Sequence, residues 1–403
     1  MIRAVFQQKR SLWIYIAAGA SFAALAARGL AVPLYAHGLG ASRFEVGALF
    51  AVSTLAGALL SLPSGLLVDR YGPRNLMAAS FAVSALSQVA TALTPTVAPL
   101  FIWQVVGGLA AGAQQASVFS AVTEVVPANR LGRAMGWLTL AMQSGFFVGP
   151  LVAGIALRWL DLRADIAVTT VLLLFAVPGA SLASGTRQHT GAGLALRAPL
   201  RMLVGQPGFV PVIVGLLGAS LIWGTIQAFL PVFGSEALRL PNYLVGYLVA
   251  VQAIANGASR PFAGRIVDRA SERWPIIAIG TIVFAISVVV LGHTTGFAVP
   301  AVVLAIGTPF LAVAFVSISV TFGTLSVGST RGVTMGIYGT VLFIGLSVGP
   351  LSFGPIVQAN GYAAGFTVCA AAAVILALAM AAFHAEPVRR RLQVALPPVV
   401  PRA

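Results

Sequence analysis

The 403-residue chain is 59% hydrophobic and 8% charged, so most of its surface must face lipid or other helices rather than water. Its formal net charge is +15, but the basic residues lie between long apolar runs, which points to the rim of an anionic leaflet and argues against nucleic acid. One cysteine, Cys369, excludes a disulfide framework and a thiol metal site.

Uncharged stretches such as Ile166 to Ala183 can cross about 30 Å of hydrocarbon as helix. In lipid the backbone must satisfy itself, and the apolar runs are helix-length rather than alternating, so helices are expected and a barrel is not. Twelve spans follow in chain order: 11–36, 44–68, 75–94, 97–124, 133–157, 165–184, 208–233, 242–266, 275–293, 297–325, 333–358 and 361–384. The first is too long for a cleaved signal peptide and is expected to be retained. Breaks fall at Asp69-Arg-Tyr-Gly-Pro-Arg74, Thr94-Pro-Thr96 and Asp161-Leu-Arg-Ala-Asp165. The polar stretch 185–207 reads as a cytoplasmic linker between six-helix bundles 1–184 and 208–384, and 385–403 as a cytoplasmic tail.

Most of the 24 basic residues fall on the side that carries both termini, among them Arg70, Arg74, Arg187, Arg197, Arg269 and Arg389. Arg43, Arg158, Arg163 and Arg239 fall on the other. The asymmetry places both termini in the cytoplasm.

The chain repeats itself at a separation of about 200 residues. Gly65-Leu-Leu-Val-Asp69-Arg70 is answered by Gly264-Arg-Ile-Val-Asp268-Arg269, Met135-Gly136 by Met335-Gly336, and Gly145-Phe-Phe-Val-Gly149-Pro150 by Gly345-Leu-Ser-Val-Gly349-Pro350. Two similar membrane bundles side by side are the architecture of carriers, with the substrate site between them near the midplane.

Two arginines lie inside spans. A charged group at membrane depth costs several kcal/mol unless paired or hydrated. Arg260 follows Asn256 and Gln252 at spacings of four, a polar stripe down helix eight that should face a cavity rather than lipid. Arg28 lies in the outer half of helix one, with Glu45 a candidate partner. Either arginine can instead snorkel to headgroups or pair structurally. If both face the cavity, the site is cationic and suits an anionic or zwitterionic compound. Weaker lining candidates are Gln114, Gln115, Gln143, Trp223, Gln227, Tyr338 and Phe343, each more often interhelical packing than ligand. The nine acids, Glu45, Asp69, Glu124, Asp161, Asp165, Glu236, Asp268, Glu272 and Glu386, all fall at span ends or in loops.

Phosphate loops, nucleophile elbows and His-Glu-x-x-His are missing from the sequence, and His37, His189 and His293 share no metal-ligand spacing. An enzyme is therefore not expected, nor a cofactor or metal.

Gly65-Leu-Leu-Val-Asp69-Arg70-Tyr-Gly72-Pro-Arg74 resembles the loop signature between helices two and three of the major facilitator superfamily. Gly145-x-x-x-Gly149-Pro150-x-x-x-Gly154 is similar to the helix-five motif of its drug:proton antiporters and other exporters. Pro127-Ala-Asn-Arg130-Leu-Gly-Arg133 resembles the entry into helix five. The resemblance implies an all-α fold of two pseudo-symmetric six-helix bundles that works by alternating access. It makes Gly65, Asp69, Arg70, Gly72 and Arg74 gating residues rather than ligands, with a weaker second copy at Asp268 and Arg269, where Ala270-Ser271 replace the glycine step. Gly145, Gly149, Pro150 and Gly154, with Gly345, Gly349, Pro350 and Gly354 in helix eleven, read either as a hinge or seal in which helix five bends against its neighbour in the second half, or as the small-residue packing that membrane helices use everywhere. The chain departs from drug:proton antiporters in lacking an acid in helix one and in carrying Gln104 where an arginine stands in helix four.

The expectation is therefore a secondary transporter of the bacterial inner membrane, monomeric, exporting a small amphipathic or anionic organic compound with protons as coupling ion. The main alternative is an organic-anion uptake or exchange carrier, and a remote one is a non-transporting membrane sensor.

Overall fold

The computed structural model describes residues 2–126, 131–174, 176, 180, 205–206, 208–325 and 331–384, with the side chains of 2–11, 62, 65, 66, 69, 131–133, 174, 331–333 and 335 outside the description. The expected linker, except 205 and 206, and the tail 385–403 lie outside the described residues.

The described residues form helices and no strands. In chain order these are α1 (Ile2–Gly38), α2 (Arg43–Tyr71), α3 (Pro73–Leu93), α4 (Val97–Val125), α5 (Leu131–Ala156), α6 (Leu162–Leu174), α7 (Phe209–Val232, prolonged by a π turn at Phe233–Ala237), α8 (Asn242–Arg269), α9 (Trp274–Leu291) and α10 (Ala298–Leu325). The stretch Arg331–His384 is broken at Gly361, whose φ of 84° and ψ of 174° are non-helical, into α11 (331–360) and α12 (362–384).

Nine described stretches are long and apolar enough to cross a bilayer, and one of them, Gly336–Phe383, holds both α11 and α12. The two helices outside that set are α6, described over 13 residues, and α8, which carries Arg260, Arg265, Asp268 and Arg269.

Helix ends follow from local chemistry. Ser42 and Glu45 form a reciprocal capping box at the start of α2: the Glu45 carboxylate accepts from Ser42 N at 2.8 Å, and Ser42 Oγ accepts from Glu45 N at 3.2 Å. Glu45 is thereby committed to its own helix and is not the partner of Arg28, which corrects that expectation. Gly72, at φ 78°, closes α2 and leads directly into Pro73 at the first turn of α3. At α6 the Asp161 carboxylate accepts from Ala164 N at 2.8 Å.

Within the first half α5 packs on α1, α2 on α4, and α6 on α1 and α3. Within the second, α7 packs on α11 and α12, and α8 and α9 on α10. The halves meet chiefly through α2 with α11 and α5 with α8, and also through α1 and α2 with α7. The apolar core of the second half, running through Leu216, Phe229, Phe284, Phe322 and Phe366, continues into the first half at Tyr35, Val46, Leu49 and Ile166. The first half also buries Arg28, Ser87, Gln88, Thr91, Gln104, Asp165, Thr169 and Thr170 among its helices.

Candidate functional site

The polar stripe expected on α8 exists and is buried against protein. Gln252 and Asn256 are both buried. Arg260 Nε donates to Asn256 Oδ1 at 3.3 Å, one turn back along the helix. Its guanidinium also meets Gln143 of α5. Two sets of N–H groups cannot bond one another, so the Gln143 amide presents its oxygen, which accepts from Nε and Nη2 at 2.8 Å each. Tyr338 of α11 lies near enough to interact electrostatically with the same guanidinium. The Tyr338 hydroxyl accepts from Ser319 Oγ of α10 at 3.3 Å. Residues from α5, α8, α10 and α11 thus converge at the seam between the halves, around a cation whose hydrogen-bond partners are two neutral amides.

Arg28 is placed differently. It lies inside the first half at 5% exposure, with Nη2 donating to Gln104 Oε1 at 2.9 Å and to the Trp103 carbonyl at 3.1 Å, both on α4. Ser87 of α3 donates to the same carbonyl at 2.6 Å. The guanidinium lies flat on α4 because position 107 is glycine, where a Cβ would land on Arg28 itself. Arg28 Nε and Gln104 Nε2 find no protein acceptor. A shared cavity with Arg260 is not what these contacts describe.

The weaker candidates divide. Gln114 is buried and the adjacent Gln115 exposed, as the rotation of about 100° per helical residue requires. Trp223 is half-buried with its ring 6.1 Å from Phe284, and Gln227 is half-buried on the same helix. Both Trp223 and Phe343 sit on seam-facing helices: Phe343 of α11 approaches Gly57 of α2.

The helix-five glycines need a correction. Gly145 and Gly149 pack not on the second half but on α1, where an added Cβ would lie 2.8 Å from Ala23 N and 3.0 Å from Ala27 N respectively. Gly349, buried beside Pro350, packs likewise on α7 of its own half, against Leu221 and Thr225. Only the third glycine of the motif crosses the seam, with a Cβ at Gly154 falling 3.0 Å from Gly246 Cα on α8. The first two positions therefore hold a bundle together, because α1 and α7 are the neighbours that a helix leaving the loop after α4 or α10 meets first.

Of the loop signature, Arg70, Arg74, Asp268 and Arg269 are exposed, and the Arg70 guanidinium lies 5.4 Å over the Tyr71 ring. The side chains of Gly65 and Asp69 are outside the described residues.

Sequence reasoning missed a cluster at the other end of the seam. Arg43, first residue of α2, forms an ion pair with Glu236 after α7, its Nε donating at 3.0 and 3.1 Å to the two carboxylate oxygens. Tyr362 of α12 donates to Glu236 Oε2 at 2.8 Å, and the Arg43 guanidinium lies 4.9 Å over the Tyr362 ring. Arg43 Nη1 donates to the Val357 carbonyl at 3.2 Å, and its backbone N–H to Gln358 Oε1 at 2.9 Å. Below it, Thr54 of α2 and Ser347 of α11 are hydrogen-bonded at 2.7 Å. The sequence signal was opposite charge on two loops of one face, in different halves.

A second omission is Asp165. The sequence places it at the very start of the sixth span, but α6 already begins at Leu162 and the carboxylate has no exposed surface.

Comparison with known proteins agrees with this architecture. A family model described as Major Facilitator Superfamily matches residues 14–350 and, again, 240–399. The Quinolone resistance protein NorA of Staphylococcus aureus (strain MRSA252) is 25% identical over 123 residues, covering 30% of this chain and 32% of that protein. The chain thus spans about a third of the length of the curated relatives it matches first. An uncharacterized MFS-type transporter of Methanocaldococcus jannaschii is 21% identical over 341 residues, 82% of this chain and 86% of that protein. Among solved structures, the nucleoside transporter NupG superposes with a TM-score of 0.77 at 13% identity, covering 93% of this chain and 98% of that one. A bacterial homolog of the human lysosomal transporter Spinster, in an inward-facing and occupied conformation, gives 0.75 at 14% identity, covering 97% and 98%. At such identities the structures speak for the fold alone.

Proposed function

The chain belongs to the major facilitator superfamily, and we propose from that premise that it exports a small amphipathic organic compound bearing a carboxylate or similar anionic group. The observation that carries the substrate class is Arg260. It stands where both halves meet, and its partners Gln143 and Asn256 orient the guanidinium without neutralising it. An unneutralised guanidinium at membrane depth is stabilised by an anion that docks in its planar fork. Tyr338 stands near it, and two turns away along α8 Gln252 holds an amide N–H with no protein acceptor. Arg28 has a supporting part in this reading: it stiffens α1 against α4. The outward direction rests on the helix-five motif and on the partial likeness to a quinolone resistance protein. Quinolones are carboxylate-bearing aromatics, so they fit the chemistry of the Arg260 site.

The mechanism is rocking of bundles 1–184 and 208–384 about the seam, with the linker 185–207 and both termini on the cytoplasmic side of a bacterial inner membrane. The Arg43–Glu236–Tyr362 cluster closes the outer end. Gly65, Asp69, Arg70, Gly72 and Arg74, with Asp268 and Arg269, close the inner end in the opposite state. Protons are the coupling ion, and the working unit is a monomer.

The test is accumulation of ciprofloxacin, followed by its own fluorescence, in everted vesicles. Wild type should accumulate it and Arg260→Gln should lose at least about tenfold in rate, the effect of removing a charged hydrogen-bond pair worth about 1.4 kcal/mol or more. Full transport by Arg260→Gln refutes an anion-binding role. The second reading, uptake or exchange of an organic anion, uses the same cationic site and is separated by direction: it predicts accumulation in right-side-out vesicles.

A further inference from the structure

Among the described residues of the first half, one carboxylate has nothing to hold its charge. Asp165, on the first turn of α6, has 0% exposure, and neither of its oxygens has a hydrogen-bonding protein partner. The cations around it are engaged or remote. On α6 itself Arg163 donates through Nε to Tyr35 Oη of α1 at 3.1 Å, and Tyr35 donates onward to the Thr94 carbonyl at 2.6 Å. Further along α1, Arg28 is bound to α4, and His37 ends the helix. The buried polar residues of α3 are all neutral, Ser80, Ser84, Ser87, Gln88 and Thr91. From α5 the nearest charge is Arg158, beyond that helix's end, where it stacks 5.7 Å over Trp159.

An ionised carboxylate in such a place is prohibitively costly, and a cation or a proton must neutralise it. No cation is within reach among the described residues. A protonated carboxyl is tolerable but still leaves an unmet O–H, a cost that leucine would avoid. The surroundings are also built polar. Thr170 of α6 donates to Gln88 Oε1 at 3.4 Å, Thr91 to the Ser87 carbonyl at 2.7 Å, and Ser87 to the carbonyl that holds Arg28.

We propose that Asp165 is a proton-binding residue of the transport cycle, protonated while the outer end is closed and ionised when opening of that end admits water to the start of α6. The step is a bare proton transfer: a hydronium ion of the outer water gives its proton to one carboxylate oxygen and is left as water, burial of the neutral carboxyl favours closure, and the proton returns to outer water on opening. Closure of the outer end therefore depends on outer pH; the inference rests on the reading above of that end as one that opens and closes.

The experiment has two arms. Infrared difference spectra of the lipid-reconstituted wild type between acid and alkaline buffer should contain a protonated-carboxyl band that Asp165→Asn removes and Asp165→Glu moves. In reconstituted protein carrying spin labels on cysteines placed at Trp159 and Thr295, exposed positions in opposite halves, the long-distance population should grow in wild type as pH rises, and Asp165→Asn should abolish that dependence while Asp165→Glu restores it in part. A band untouched by both substitutions, or an Asp165→Asn variant that keeps the wild-type pH dependence, overturns the proposal. Neither arm uses a substrate, so a failure to move ciprofloxacin refutes the substrate reading without touching this one. Should Asp165→Asn not fold, the band shift with glutamate decides.

Discussion

Replacing Glu236 by glutamine removes the charge that ties α2 to the end of α7 while nearly preserving shape. The two side chains are 29% and 28% exposed, neither freely solvated nor sealed. At a separation of about 3 Å and an effective dielectric of about 20, the bare attraction is about 5 kcal/mol. Exposed pairs retain about 0.2–1 kcal/mol of this, and breaking buried ones costs about 3–5 kcal/mol. A value near 2 kcal/mol fits the intermediate exposure and the added Tyr362 bond. Because the contact joins the two halves, that energy is lost from the outer-closed state alone, and the outer-open population should rise by about 30-fold. The assay is a pulsed spin-label distance between cysteines placed at Trp159 and Thr295, exposed positions in opposite halves, just beyond the ends of α5 and α9; the native Cys369 is buried and should resist labelling. Glu236→Gln and Arg43→Gln should both populate the long distance. The exchange Arg43→Glu with Glu236→Arg should restore closure only in part, because a guanidinium cannot accept from Tyr362 and a carboxylate cannot donate to Val357 O. Unchanged distances in both single variants would refute the assignment of this cluster as the outer closure.

Gly107→Ala should push Arg28 out of its slot on α4 and cost about 3 kcal/mol or more, read as a lower melting temperature in detergent. Combining it with Arg28→Leu should recover part of the loss, and additive effects would show that the two positions are not coupled. Gly154→Val should separate α5 from α8 and lengthen the Trp159–Thr295 distance, whereas Gly149→Val should lower stability without that change, since Gly149 faces α1. Equal behaviour of the two glycine variants would contradict the division of labour within the motif.

What was legible in the sequence was what is periodic. Gln252, Asn256 and Arg260 share a helix face at a spacing of four, so their stripe and its burial could be read without coordinates. The repeat of Gly145-x-x-x-Gly149-Pro150 at 345–350 gave the pseudo-symmetry for the same reason. What failed was partner choice. Glu45 is near Arg28 in number, but its carboxylate is claimed by Ser42 in a capping box, and the actual partner Gln104 is reached only because Gly107 opens the surface of α4. Gly145 and Gly149 mark close contact correctly but do not say with which helix. Asp165 reads as the exposed start of the sixth span, because its burial is set by the packing of α6 on α1 and α3, which no local pattern shows. Arg43 reads as an orientation charge and Glu236 as an acid at a span end, since nothing local links positions almost two hundred residues apart.

The meeting of Gly154 with Gly246 has a mechanical consequence. Backbone rests on backbone there, so one helix can roll over the other without any rotamer having to leave its well. Such a contact adds little friction: it transmits load and resists approach, but it does not latch. The barrier between the two states should therefore sit in the charged contacts at the outer rim, and the temperature dependence of turnover should track substitutions at Arg43 and Glu236 far more than small changes around the glycine pair.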